Sequence, residues 1–214
     1  MTIDAPPSRR VLLLAGCFAD AGPAIGLAAA LAARTQAALH GVLAQDPRAQ
    51  AAEGTELVTG RRAAGATLLL SRDRLSLAYA ADARAFRSRL DRAAAALALR
   101  ASVRIDSGAL PDLALGLRQP GDAVIIAYRR FLPLRGPVIA LEDLENGPAA
   151  RLAIELSRAL GLRAHVLPAD TPPEVLDPLP VSALVLPHDF HPDPARLAAL
   201  VEAARCPVLL APDE

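Results

Sequence analysis

Short runs of apolar residues alternate along this chain with longer segments in which apolar residues recur every three or four positions. Three such runs are VLLLA (11–15), DAVIIA (122–127) and SALVLP (182–187). Runs of this kind are typical of strands that are buried on both faces of a sheet. The segment 81–100, ADARAFRSRLDRAAAALALR, carries Phe86, Leu90 and Leu97 on one side and is predicted to be an amphipathic helix. The alternation of strands and helices predicts an α/β fold with open, mostly parallel sheets and helices on both faces.

An internal repeat indicates how these elements are organised. Residues 11–47 align without gaps on residues 136–172, at a constant offset of 125. Both copies contain the sequence Gly-Pro-Ala, which is expected to start a helix. The backbone N–H of a first helical residue makes no hydrogen bond within the helix, so proline, which has no N–H, fits this position. Both copies also place a histidine, His40 or His165, in the following strand. Each copy is therefore predicted to be a strand–helix–strand unit with parallel strands.

The repeat divides the chain into a disordered lead-in (1–10), a first α/β repeat (11–134) and a second, shortened repeat (135–214). Residues 48–79 form an insertion in the first repeat, within which 56–75 fit a hairpin. The second repeat is shorter because the proline-rich segment 171–180 leaves no room for a long helix. The segment RGPVIAL (135–141) is predicted to close the first repeat, to open the second, or to do both.

The order and phrasing of these elements resemble the universal stress protein family in its tandem, two-repeat form. Residues 11–47 are similar to the family's opening strand, helix and second strand. Residues 183–212, which end on the phrase CPVL, are similar to its closing strand, helix and strand. The resemblance implies a Rossmann-like fold of the adenine nucleotide alpha hydrolase type. It also implies an ATP site with an Asp after the first strand and a glycine-rich phosphate loop after the fourth.

The motifs that the family uses for ATP are degenerate in this chain. The expected Asp falls near Gly16 in the first copy and near Leu141 or Glu142 in the second. The segments after the fourth strands, YRRFLPLRG and HDFHPDP, lack the paired glycines whose amide groups would approach a phosphate. We therefore expect no cofactor, with ATP or AMP as the alternative. The residues that would contact such an anion or nucleotide are Gly16, Cys17, Arg129, Arg130 and Glu142.

The stretch LPHDFHPDP (186–194) is a candidate for metal binding, because His188, Asp189 and His191 supply ligands that suit Zn or Mn. Its prolines hold the chain extended, which does not favour turning both imidazoles toward one ion. Asp193 is explained as a helix cap before Pro194. The sequence favours a polar surface loop without a metal.

Composition excludes several classes of function. All 23 basic residues are arginine and the net charge is zero, without a basic patch for nucleic acid. No apolar run approaches the ~20 residues that span a membrane, and the charge order of MTIDAPPSRR is not the one expected of a secretory signal. Cys17 and Cys206 form no CxxC pair and are predicted to be small buried hydrophobes. The expected location is the cytoplasm.

Three functions remain from these observations. The first is a non-catalytic module that acts in stress response or regulation through protein–protein contacts. The second is a sensor of a nucleotide or another small ligand, and the third is a metal-dependent hydrolase that uses the 188–193 loop. The protein partner is not identified by the sequence, but a homodimer is a candidate. The resemblance implies pairing of the halves through their last strands, here GPVIAL and CPVLLAP within one chain.

Overall fold

The structure is a computed structural model. It describes residues 9–45, 58–61, 67–70, 72–127, 136–144, 146–188, 190 and 194–212. The strands are β1 (Arg10–Ala15), β2 (Ala38–Gln45), β3 (Val58–Arg61), β4 (Thr67–Leu70), β5 (Ala101–Ser107), β6 (Ala123–Ile126), β7 (Val138–Leu141), β8 (Ala164–Leu167), β9 (Ala183–Leu186) and β10 (Val208–Leu210). The helices are α1 (Phe18–Thr35), α2 (Arg72–Ala96), α3 (Leu110–Leu117), α4 (Pro148–Leu160), α5 (Pro173–Leu176) and α6 (Pro194–Ala204).

One continuous sheet of eight strands, in the order β5-β2-β1-β6-β10-β9-β7-β8, runs through the molecule. Every neighbouring pair in it is parallel except β6 and β10, which are antiparallel. The predicted fold class, α/β with a mostly parallel sheet and helices on both faces, is confirmed. The antiparallel β6–β10 pair is the seam between the strands of residues 11–134 and those of residues 135–214, the two predicted repeats.

The predicted pairing of GPVIAL with CPVLLAP is wrong. β7, which contains VIAL, pairs with β8 on one edge and β9 on the other, so neither edge is available for β10. The CPVLLAP strand β10 pairs with β9 and, across the seam, with β6. GPVIAL therefore opens the second repeat, and does not close the first.

The two repeats are equivalent at the ends of their first helices. α1 ends at Thr35 and α4 at Leu160, which are 125 residues apart. The cap residue that follows each of them, Gln36 or Gly161, adopts the left-handed conformation that ends many helices (φ 53° and 66°).

The helices begin differently in the two repeats. α4 opens at Pro148 with Gly147 as its cap, as the Gly-Pro-Ala phrase predicts. In the first repeat that prediction is wrong, because α1 begins at Phe18 and already contains Pro23. The earlier start is supported by the carboxylate of Asp82, which accepts a hydrogen bond from the Phe18 N–H at 3.2 Å.

The ungapped alignment of the repeats misplaces one strand. Val11 of β1 lies opposite Leu39, whereas Val138, rather than Gly136, lies opposite Ala164 in the second repeat. A shift of two residues keeps the same side chains on the same face of the sheet, because alternate residues share a face. The connection between β7 and α4 (142–147) is longer than the one between β1 and α1 (16–17).

The predicted hairpin before the long helix is confirmed, since β3 and β4 pair in antiparallel fashion. The long helix α2 begins at Arg72, inside the segment assigned to the insertion, and ends at Ala96. Phe86 and Leu90 are fully buried, as predicted. The assignment of Leu97 to the same apolar side is wrong, because this residue follows the helix and is 46% exposed.

Two apolar layers lie on opposite faces of the sheet. α1, α2 and α4 pack on one face, and α3, α5 and α6 on the other. None of the described helices combines the length and apolar character needed to cross a lipid bilayer.

Candidate functional site

The carboxyl end of β1 is the first place where ligands are expected, because α/β sheets bind them beyond the carboxyl ends of their strands. Gly16 and Cys17 connect β1 to α1, and Cys17 is the N-terminal cap residue of that helix. A side chain on Gly16 would lie 3.6 Å from the Asp20 carboxylate, an ordinary contact. Asp82 of α2 already accepts the Phe18 N–H. Two carboxylates, of Asp20 and Asp82, therefore lie at this helix N-terminus, where an anionic ligand would otherwise be favoured.

Cys206 is buried as predicted, whereas Cys17 is only partly buried, in surroundings that disfavour its thiolate. Burial raises the pKa of its thiol, and the hydrogen bond to the Asp20 carboxylate and the charge of that group raise it further. The backbone N–H groups of Ala19 and Asp20 lower the pKa but do not reverse the direction. Catalytic cysteines at helix N-termini have depressed pKa values, so this thiol does not resemble a nucleophile.

We expect Cys17 to react slowly with iodoacetamide. In a Cys206→Ala variant, where Cys17 is the only thiol, alkylation at neutral pH should be slower than that of free cysteine, because only the thiolate reacts. The rate should continue to rise as the pH increases beyond the pKa of free cysteine. Alkylation faster than that of free cysteine at neutral pH would contradict this description of the site.

Glu142 lies at the equivalent end of the second repeat, directly after β7, and is only 9% exposed. Its carboxylate accepts the N–H of Ala149 in the first turn of α4 at 3.3 Å. The side chain packs so closely on Gly147 that a Cβ at that position would overlap the carboxylate. Glu142 therefore caps α4 and places its negative charge at the positive end of the helix.

The 186–194 stretch is anchored to the protein by an aromatic residue that the sequence analysis missed. Phe190 is buried, and its N–H donates to the carbonyl of Pro187 at 3.2 Å. The Arg196 guanidinium lies 5.4 Å from the centre of the Phe190 ring, a cation–π distance. α6 begins at Pro194, as the proline predicts, while the cap assigned to Asp193 lies outside the described residues.

His188 is the one residue of the candidate metal set that the structure describes, and Asp189 and His191 lie outside the described residues. The buried Nδ1 atom of His188 has no hydrogen-bond partner within the described part of the chain. Among the described residues, no three His, Cys, Asp or Glu side chains are grouped closely enough to hold a metal ion. Arg129 and Arg130 also lie outside the described residues.

The two repeated histidines have different surroundings. His165 is exposed on the edge strand β8. His40 lies on β2, with its Nδ1 atom 2.7 Å from the hydroxyl oxygen of Ser102 on β5. Burial lowers the pKa of His40, and the guanidiniums of Arg10 and Arg104 also lower it, against the raising effect of Asp122. The arrangement is that of a neutral, hydrogen-bonded structural histidine.

The lowered pKa of His40 predicts a pH dependence of stability. The unfolded state takes up the proton first as the pH falls through about 6.5, so this contribution to stability is complete above that pH and decreases below it. A His40→Gln variant should therefore lose less stability than the wild type between about pH 7 and pH 5. Urea unfolding at several pH values measures the difference. The exposed His165→Gln variant is the matched control and should follow the wild type. Equal slopes for His40→Gln and the wild type would refute the assignment.

Comparisons with known proteins give fold neighbours and no sequence relative. No protein-family model and no curated protein matches the chain. A structure from the universal stress protein family of Burkholderia pseudomallei is similar at 16% identity and a TM-score of 0.34, over 96% of both chains. A universal stress protein from Archaeoglobus fulgidus is similar at 10% identity and a TM-score of 0.45, over 95% of this chain and 96% of the other.

The cytoplasmic domain of a prokaryotic cation chloride cotransporter is similar at 12% identity and a TM-score of 0.38, over 96% of both chains. With TM-scores below 0.5, none of these likenesses carries an inference about activity, ligand or partner.

Proposed function

We propose that this chain is a non-catalytic module of the universal stress protein type, which acts in stress response or regulation through protein contacts and has lost the family's ATP site. The observation that carries the proposal is the position of Glu142. Its carboxylate accepts an N–H of the first turn of α4 and fills the space over Gly147.

The loss of ATP binding follows from charge and from hydrogen-bond donors. A nucleotide phosphate binds a helix N-terminus through free amide groups and the positive end of the helix dipole. At α1 the Phe18 N–H is bonded to Asp82, and at α4 the Ala149 N–H is bonded to Glu142. A phosphate at either position would meet a carboxylate a few ångströms away, in surroundings where like charges repel strongly.

Contact with proteins is supported by apolar side chains in the second repeat. Five large apolar residues of this repeat are between 38% and 66% exposed: Leu144, Leu160, Val166, Val175 and Leu179. Val166 lies on β8, which is an edge strand of the eight-stranded sheet. Exposed edge strands are places where another chain can pair.

A thermal-shift titration with ATP, AMP and inorganic tripolyphosphate tests the loss of the ATP site. We expect no stabilisation that depends on the adenine group. Stabilisation by ATP or AMP that increases with concentration and is not reproduced by tripolyphosphate would contradict the proposal. Tripolyphosphate separates adenosine recognition from a general effect of anions.

The role of Glu142 is tested by its removal. Glu142→Ala should lower the free energy of unfolding by about 1 kcal/mol, as expected for the loss of a helix cap. The melting temperature should fall by roughly 2–4 °C in a chain of this size. Asp91→Ala, which removes an exposed carboxylate from α2, is the control and should have little effect. An unchanged stability of Glu142→Ala would show that this carboxylate is not the cap.

Sedimentation equilibrium tests the homodimer as one form of protein contact. If β8 pairs with a second copy, the wild type should associate at micromolar concentration, and Val166→Lys should shift it toward the monomer because a charge at a sheet edge opposes pairing. A wild type that is purely monomeric at this concentration would count against the homodimer and leave a different protein as the partner.

A further inference from the structure

A large open cavity lies between α1 and α4, beside the amino end of β1 and the N-terminal turns of α4. It has a volume of about 690 Å³, within the range of cavities that hold small molecules. The C-terminal turn of α1 and the N-terminal turns of α4 form two of its walls. The starts of β1 and β6 and Pro212, just after β10, complete it. We call it the seam cavity, because the antiparallel β6–β10 pair brings these segments of the two repeats together.

The charged side chains of the seam cavity are predominantly basic. Among the described residues, four arginines line it, Arg9, Arg10, Arg34 and Arg151, and one carboxylate, that of Glu155. Arg34 and Glu155 form an ion pair at 2.9 Å that links α1 to α4, with both side chains about half exposed. The Nε–H of Arg10 donates a hydrogen bond to the carboxylate of Asp122. With both of these carboxylates counted, the described side chains of the lining have more positive than negative charges.

A second, smaller cavity shares part of its lining with the first. Its volume is about 390 Å³, and Arg9, Gln36 and Ala37 line both cavities. Arg100 and His40 also line the second cavity. Arg9 is therefore flanked by further arginines of the seam cavity and by Arg100 of the smaller one.

The arginine side chains, rather than the helix dipoles, give this cavity its expected preference for anionic ligands. The N-terminus of α4 is positive, but the C-terminus of α1 beside it is negative, so the two dipoles oppose each other. Guanidinium groups carry several N–H donors in a planar fork that matches the oxygens of phosphate and carboxylate groups. A concave, partly enclosed surface also concentrates the field of its charges.

We propose that the seam cavity binds a small molecule with two or more anionic oxygen groups, either a polyphosphate or a polycarboxylate. The assignment extends the regulatory module by a ligand site and does not depend on whether the ATP site is lost. Binding there joins α1 of the first repeat to α4 of the second, so a ligand is expected to stabilise the contact between the repeats.

Isothermal titration with inorganic pyrophosphate and with citrate, each at constant ionic strength, tests the proposal. Saturable binding of pyrophosphate alone would identify the ligand as a polyphosphate, and that of citrate alone would identify a polycarboxylate. Binding of both would support recognition of anionic oxygen groups in general. Failure of both to bind saturably up to millimolar concentration would overturn the proposal while leaving the proposed protein-contact function untouched.

Variants locate the site. Arg9→Gln combined with Arg34→Gln should weaken binding at least about tenfold, because two of the guanidiniums that line the cavity are lost. Arg84→Gln combined with Arg89→Gln makes the same change in net charge on the exposed side of α2 and should leave the affinity unchanged. Equal losses in the two double variants would show a nonspecific effect of charge and overturn the assignment.

Glu155→Gln is expected to strengthen anion binding, a result that misfolding of the variant could not produce. It removes the carboxylate that lines the cavity and releases Arg34 from its ion pair. The affinity for the anion should therefore increase several-fold. An unchanged or reduced affinity in a folded Glu155→Gln variant would place the ligand elsewhere.

Discussion

Phe86→Ala is expected to lower the free energy of unfolding by about 4 kcal/mol, the largest loss that we predict for a single core residue. Phe86 belongs to α2, is fully buried and is among the largest side chains of the core. Its ring lies over Gly41 of β2, so it fixes the long helix to the middle of the first repeat. Removing the ring leaves a cavity that the rigid strand cannot fill by moving. Urea unfolding of the variant measures the loss.

Gly41 provides a second way to test this contact. A Cβ on Gly41 would lie 2.8 Å from two ring carbons of Phe86 and 2.9 Å from a methyl carbon of Leu90, closer than normal packing allows. Gly41→Ala should therefore destabilise the wild type by about 1–3 kcal/mol. In the Phe86→Ala background the new methyl group has space, so the same change should cost much less. Strict additivity in this double-mutant cycle would mean that the two residues are not in contact.

Asp122→Ala is expected to lower the free energy of unfolding by about 3 kcal/mol, toward the lower end of the range for breaking a buried ion pair. The Asp122 side chain is 3% exposed and that of its partner Arg10 is 24% exposed. One carboxylate oxygen accepts the Arg10 Nε–H at 2.9 Å, and the other accepts the Gln119 N–H at 2.8 Å. The change leaves a partly buried guanidinium without its counter-charge and a backbone N–H without its acceptor.

The exposed ion pair between Asp177 and Arg205 is the matched control for Asp122. Their charged atoms are 2.6 Å apart, but the side chains are 53% and 66% exposed. Asp177→Ala should therefore lower stability by less than about 1 kcal/mol. Similar losses for the two variants would show that the Asp122 pair is no more important to the fold than a surface contact.

The elements of this fold are largely predictable from the sequence because each depends on a local pattern. Apolar runs such as 122–127 became buried strands, and the spacing of Phe86 and Leu90 predicted the buried side of α2. The hairpin formed by β3 and β4 lies within residues 56–75, the segment for which the sequence predicted a hairpin before the long helix. Such patterns indicate which side chains are buried in the folded protein, and they can be read directly from the order of the residues.

Pairing between distant strands was not predictable in the same way. The family resemblance implied a contact between β7 and β10, but the order of the sheet depends on which strand edges remain unpaired after all strands are placed. β8 and β9 take both edges of β7, and β10 meets β6. Apolar runs of similar composition carry no information that distinguishes these partners.

The residues of the candidate site were predicted only in part, because contacts between residues that are distant in the sequence leave no local pattern. Gly16, Cys17 and Glu142 lie at the ends of strands, as the family resemblance implied. The Asp82 carboxylate, which caps α1 from a residue 64 positions away, has no signal in the local sequence. Phe190 was passed over because it stands among polar residues, although it is the residue that anchors its loop.

A crystal structure determined in the presence of millimolar ATP tests the central claim most directly. The account predicts that the carboxylates of Glu142 and Asp82 remain bonded to the Ala149 and Phe18 N–H groups, with no nucleotide at the carboxyl end of β1 or β7. Phosphate groups bound at either helix N-terminus, with the carboxylate displaced, would contradict it.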